Sequence, residues 1–285
     1  MQAYDAGRWL LLATLWSLQF LFLRVAVPVF GTAPVAEARA VLAALCLLPW
    51  ALYVVRERIE LRARWKDHLT VGVVNNVLPF LCFAWAAAWL PAGYLAIMNG
   101  LVPLWGALIA APVLGERFGP RRAAGFALGI AGVALTVNLG PIDLDAGTLL
   151  ATGAALLGTA LWGWAGVMIK QRTERVPLMG LAAGSMAFSA VILAPLWALT
   201  PPAASWTVEA AVAVLLLGVL CSGLAYLPFF TLIRDIGPSR TLTVGLAVPV
   251  LGVAWGWLLL DEAVTAAMLL GMVLVLVALA LVQRR

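Results

Sequence analysis

Long apolar windows recur along the whole chain, at about 9–31, 34–55, 69–89, 92–114, 119–139, 148–169, 178–199, 208–233, 239–260 and 264–282. A helix needs about 20 apolar residues to cross the hydrocarbon core of a bilayer. Each window therefore predicts one spanning helix, and the set predicts an all-α membrane protein of ten transmembrane helices. The breaks hold the polar and turn-forming residues: Arg56 to His68, Pro91-Ala92-Gly93, Gly115 to Arg122, Gly140-Pro141, Lys170 to Pro177, Thr200-Pro201-Pro202, Arg234 to Arg240 and Asp261-Glu262. The opening run behind Arg8 has the look of a secretory signal. It continues past Arg24 to Phe30 and returns later in the chain, so it reads as the first helix.

Charge then sets the orientation. Sixteen of the 18 Lys and Arg fall at the N-terminus, in the 56–66, 117–122, 170–175 and 234–240 breaks, or at the C-terminus. With ten helices all of these lie on one face, and cytoplasmic loops are the ones enriched in Lys and Arg. Both termini are thus expected in the cytoplasm. The net charge of +5 belongs to that membrane face and does not point to nucleic acid. Hydrophobic residues make up 64% of the chain and charged ones 11%, more apolar than a soluble core requires. Cys46, Cys82 and Cys221 lie inside apolar stretches with no metal or disulfide spacing. His68, the one histidine, falls in the basic 56–68 break. No metal or other cofactor is expected.

A duplication runs through the chain at a constant offset of 146 residues. Leu15-Trp16 returns as Leu161-Trp162, Gly72-Val73 as Gly218-Val219, Phe83 as Phe229, Val102-Pro103 as Val248-Pro249 and Gly106 as Gly252. Leu114 returns as Leu260, Glu116 as Glu262 and Gly125 as Gly271. Five helices, an odd number, make up each copy, so the second enters the membrane with the opposite sense. The expected architecture is two inverted five-helix repeats, 1–139 and 148–285, joined by a periplasmic linker at 140–147, around a central cavity.

Candidate site residues come from polar and aromatic groups at membrane depth. Trp16 lies eight residues from both Arg8 and Arg24, near the bilayer centre, and Trp162 repeats it; the alternative for both is plain helix packing. Trp16, Gln19, Phe20, Leu23 and Arg24 share one helix face. Gln19 at that depth needs a partner or water. Asn75, Asn76 and Phe80 in the third window correspond to Ser222 and Tyr226 in the eighth. Asn99 precedes Pro103 by one turn, and Gly245 precedes Pro249 likewise; a mid-helix proline frees a carbonyl and kinks the rod, so the two prolines are candidate hinges. The substrate-site candidates are therefore Trp16, Gln19, Phe20, Asn76, Phe80, Asn99, Trp162, Gly166, Ser222 and Tyr226. Arg24, Glu37 and Arg39 are read as lying near the outer surface, as a gate or ion-pair cluster or as a receptor for a carboxylate. No Asp or Glu lies in the middle of a window, since Glu116, Glu209, Asp261 and Glu262 are all terminal, which argues against a carboxylate proton relay.

These residues resemble the drug/metabolite transporter superfamily in its ten-helix EamA-type branch. The likeness is carried by Trp16, by Pro103 through Leu114-Gly115-Glu116-Arg117 to Gly125 and Gly129-Ile130-Ala131-Gly132-Val133, and by the second copy from Pro249 to Gly271. Ser17 departs from the glycine common in the family after that tryptophan, while Trp162-Gly163 keeps it. The resemblance implies a bacterial inner-membrane exporter of amino acids or other metabolites, with the first, third, fourth, sixth, eighth and ninth helices around a cavity. Aromatic amino acid exporters look closest in the set of aromatic candidates. Multidrug or organic-cation efflux, metabolite uptake and a non-transporting scaffold are the alternatives. A membrane enzyme would need a nucleophile, base or metal ligands at depth, which the windows lack. The expected partners are a small-molecule substrate and membrane lipid; monomer and dimer both stay open.

Overall fold

The computed structural model describes residues 3–57, 59–115, 118–138, 145–173, 175–200, 205–241 and 243–283. Every regular element among them is helical. The rods are α1 (Ala3–Phe30), α2 (Thr32–Val55), α3 (Trp65–Ala87), α4 (Ala92–Leu114) and α5 (Pro120–Asn138), then α6 (Ala146–Arg172), α7 (Leu178–Ala198), α8 (Val208–Ile236), α9 (Val244–Leu260) and α10 (Ala266–Gln283). Seven of them, α1 to α4 and α6 to α8, are long and apolar enough to cross a membrane, and two shorter apolar helices follow at the C-terminal end. Glu116, Arg117, Pro141, Pro201, Pro202 and most of the 140–147 linker lie outside the described residues.

Helix ends follow from local backbone chemistry. Gly31, at φ +85°, separates α1 from α2. Gly115 ends α4 in the left-handed region and Asp261 ends α9 the same way, a conformation that lets following N–H groups meet the last carbonyls, as the Glu262 N–H meets the Gly256 carbonyl oxygen. Gly115 and Asp261 are repeat-equivalent. Glu262 reaches from the α9 end to accept hydrogen bonds from the backbone N–H of Ala92 at 2.7 Å and Gly93 at 3.1 Å. It satisfies donors at the start of α4 that no intrahelical carbonyl can meet.

Two helices widen at equivalent places. Gly72–Val77 in α3 and Leu217–Leu224 in α8 are π-helical, and so is the end of α2 at Trp50–Val55. α4 is interrupted at Gly100-Leu101, between Ala92–Asn99 and Val102–Leu114. There the N–H groups of Gly100 and Leu101 bond three residues back, and Pro103 supplies no N–H to the restarted helix. α9 carries Pro249 inside an unbroken helix. The helix is interrupted before Pro103 and continuous through Pro249, which is buried and faces Gly100.

Packing is reciprocal between the halves. α1 packs on α8 and α9, and α6 on α3 and α4; α2 packs on α8, and α7 on α3; α2 meets α7, α4 meets α9 and α5 meets α10. Lipid tails give helices no hydrophobic reason to associate, so close backbone approach at small residues has to hold them. At the α5–α10 contact a side chain on Gly132 would place its Cβ 2.7 Å from the Gly271 carbonyl oxygen. The outer faces carry large exposed apolar residues such as Leu45, Leu150, Val191 and Leu270, as a lipid-facing surface requires.

His68 overturns its assignment to an open basic loop. It lies in α3, is fully buried, meets the Ile59 carbonyl oxygen through Nε2 at 2.8 Å and stacks on Phe188. Helix α3 begins four residues before the apolar window does, and its first turn carries the buried His68.

Candidate functional site

Arg39 lies seven residues into α2, about 10 Å along the axis at 1.5 Å per residue. Only 4% of it is exposed. Its Nη2 donates to Gln19 Oε1 on α1 at 2.8 Å and its Nε donates to Ser222 Oγ on α8 at 2.6 Å. The guanidinium carbon sits 3.9 Å above the Phe80 ring of α3. Gln19 in turn donates to the Trp16 carbonyl oxygen at 2.8 Å, and Ser222 Oγ donates to the Leu217 carbonyl oxygen at 3.0 Å within the widened turn. One cation therefore ties four helices together. An arginine within a membrane-spanning helix costs about 2.5–3.5 kcal/mol on insertion scales, and the two hydrogen bonds and the ring face are what offset that cost.

Around this polar centre stand two matched aromatic pairs. The Trp16 ring lies 5.2 Å from Phe229, and Trp162 stacks on Phe83 at 4.7 Å with an interplanar angle of 22°. The two contacts are repeat images of each other. Phe20 joins Phe83 at 5.6 Å, and Tyr226 lies against Phe229 and Phe230. Trp162 Nε1 donates to the Asn75 carbonyl oxygen at 2.8 Å. Trp16, Asn75, Trp162, Tyr226 and Phe229 are all half-buried, so this ring of side chains has both packed and open sides. Aromatic faces with a few polar groups bind planar or apolar molecules by stacking and burial.

The structure thus gathers Trp16, Gln19, Phe20, Phe80, Trp162, Ser222 and Tyr226, and it leaves three candidates elsewhere. Asn76 is fully buried and turned to α7, donating to Ser185 Oγ at 3.3 Å and Ser189 Oγ at 3.1 Å while its own oxygen accepts from Asn75. It joins helices; its neighbour Asn75 has the half-open position. Asn99 is half-buried and Gly166 exposed, and neither makes a hydrogen bond or ring contact with the Arg39 group. The ion-pair cluster is also corrected. Arg24 donates to the Ala87 carbonyl oxygen at 3.0 Å, Arg39 turns inward, and Glu37 Oε2 is buried with no partner. Residues two apart on a helix point to different sides, so Glu37 and Arg39 do not meet. Phe83, Phe229, Phe230 and Asn75 are the members that sequence reasoning did not choose. The repeat offset, which pairs Phe83 with Phe229, was the available signal.

Comparison with known proteins now adds the lineage. Residues 8–138 and again 149–284 match the EamA-like transporter family. The uncharacterized transporter YoaV of Bacillus subtilis (strain 168) is 23% identical over 230 residues, covering 79% of this chain and 78% of that one. The uncharacterized transporter YvbV of the same organism is 25% identical, covering 80% and 75%. Protein PecM of Dickeya dadantii (strain 3937) is 24% identical, covering 77% and 74%. A solved crystal structure superposes with a TM-score of 0.68 at 21% identity, over 99% of this chain and 96% of that one, a likeness of fold. With apolar helices fit to cross a bilayer and two matched stretches spanning most of its length, this chain is a multi-pass membrane protein and belongs to the EamA-like transporter family.

Proposed function

We propose that the protein exports small metabolites, foremost amino acids with aromatic side chains, across a bacterial inner membrane. Two inverted five-helix repeats, 1–139 and 148–285, rock about the centre, with both termini in the cytoplasm. The observation that carries this reading is the pair of repeat-equivalent contacts, Trp16 on Phe229 and Trp162 on Phe83, set around one polar group. A site shared by two upside-down halves can open to either side without being rebuilt. The reciprocal helix contacts and the two family matches, 8–138 and 149–284, support the division.

Counterflow in proteoliposomes tests it. Vesicles loaded with unlabelled L-phenylalanine or L-tryptophan should take up the labelled amino acid, and Trp162→Ala should cut that exchange at least tenfold, the loss of a stacking contact plus buried ring area. Exchange that ignores every amino acid offered, or that Trp162→Ala leaves untouched, refutes the reading. Downhill facilitation is the simplest cycle. Glu37, a buried carboxylate with Oε2 unpartnered, favours a proton-coupled variant as the second reading; accumulation driven by a pH gradient and lost in Glu37→Gln would select it.

A further inference from the structure

Arg39 brings a positive charge into the middle of a bundle that offers it no negative one. Two of its nitrogens are engaged, by Gln19 and by Ser222, and both partners are neutral. Its planar face rests on Phe80. Nη1 is sealed from solvent and has no hydrogen-bond partner, and no carboxylate among the described residues pairs with the side chain. Buried guanidinium groups are normally completed by a carboxylate or phosphate. Here the protein does not supply that anion.

The repeat shows that packing does not require the charge. Across the 146-residue offset Arg39 maps onto Ser185 and Ser222 onto Asn76. The contact is kept in both halves: Arg39 donates to Ser222 between α2 and α8, and Asn76 donates to Ser185 between α3 and α7. Two neutral side chains are enough to join helices at that spot. Gln19, which fixes Nη2, maps onto Ala165, so the orienting amide is also confined to one side. A charge and its positioning partner thus occupy one of two equivalent places. They sit beside Trp16, whose carbonyl oxygen holds Gln19, and within electrostatic reach of Tyr226.

We infer that Arg39 is the carboxylate-binding group of the central site, with Nη1 taking a substrate carboxylate oxygen while half-exposed Trp16 and Tyr226 hold the substrate's planar or apolar part. This rests on the centre being the substrate site proposed above, and it narrows the substrate to molecules with a carboxylate at one end. A single open nitrogen suits a carboxylate; a phosphate would leave further charged oxygens without donors among aromatic rings. The guanidinium is closed off in the conformation described, so the anion reaches it when the bundle opens.

The test titrates the purified full-length protein with L-phenylalanine, 3-phenylpropanoate and phenethylamine, read by tryptophan fluorescence and thermal shift, and repeats the series with Arg39→Met and Arg39→Lys. The two carboxylates should bind about 10- to 150-fold more tightly than the amine, the range that a charge-assisted hydrogen bond supplies. Arg39→Met should erase that preference and Arg39→Lys keep part of it. Equal binding of all three by the wild type, no binding of any, or a preference that survives Arg39→Met overturns the inference. The wild-type series decides even if the methionine variant does not fold. Arg39-dependent binding of 3-phenylpropanoate without amino acid counterflow would refute the amino acid function and leave this assignment standing. Counterflow without carboxylate preference would do the reverse.

Discussion

The two central tryptophans occupy equivalent places yet are held differently, and the difference can be measured. Trp162 makes the stacking contact with Phe83 and also donates from Nε1 to the Asn75 carbonyl oxygen at 2.8 Å. Trp16 has its ring contact with Phe229 and no ring N–H bond among the described residues. Replacing either by Phe keeps a ring in place and loses the same volume at both positions, so that loss is common to the two variants. At position 162 the change also strips a donor from a carbonyl in a widened turn. Leaving such an acceptor unpaired costs about 1–3 kcal/mol, and the half-open position of Asn75 points to the low end because water can replace part of the bond. Trp162→Phe should therefore be less stable than Trp16→Phe by about 1 kcal/mol. The assay is thermal unfolding read by a thiol-reactive fluorophore, since Cys221 is buried and Cys46 and Cys82 are partly covered. A difference of a few degrees in Tm, with Trp162→Phe the lower, is expected. If Trp16→Phe falls as far or further, the hydrogen bond to Asn75 is not what distinguishes the pair.

Other consequences follow from single contacts. Glu262→Ala removes the acceptor for the Ala92 and Gly93 N–H groups and should cost about 0.5–2 kcal/mol, the usual worth of a helix cap, while Glu262→Gln should cost less in the same melt. Gly132→Leu cannot fit against the Gly271 carbonyl oxygen, so it should lower the yield of folded protein sharply, and Ala131→Leu, on an exposed face, should not. Hydrogen bonds from Thr148 hold the Asp145 carboxyl below the usual carboxylate range. A depressed folded-state pKa gives stability that is present at neutral pH and lost as pH falls through that value, so Asp145→Asn should flatten the acid limb of a Tm–pH curve; an unchanged limb would contradict the cap.

The apolar windows and the 146-residue offset made the helices and their pairing legible, because membrane depth forces long apolar runs and a duplicated fold repeats its Trp, Pro and Gly positions. That route singled out Trp16 and Trp162, which make matched ring contacts with Phe229 and Phe83. Arg39 was misplaced because a hydropathy window assigns a charge near its start to the surface, while only packing shows that α2 enters the bundle within two turns of Thr32. Asn75 and Asn76 were not separable from sequence. A π-helical stretch shifts the register of the helix face, and Gly72–Val77 has no local pattern that announces one. Residues 185 and 222 could have been linked to 39 and 76 through the repeat, yet pairing of positions does not reveal which members touch.

The claim on which the account depends is that the halves lie upside down to each other, and equivalent residues on opposite sides test it. Gly119 follows α4 and its repeat image Thr265 follows α9. In a background without Cys46, Cys82 and Cys221, single cysteines at 119 and 265 would be challenged in intact cells with a membrane-impermeant maleimide. The account predicts labelling at 265 from outside and at 119 only after the membrane is opened. Labelling of both from the same side would contradict it.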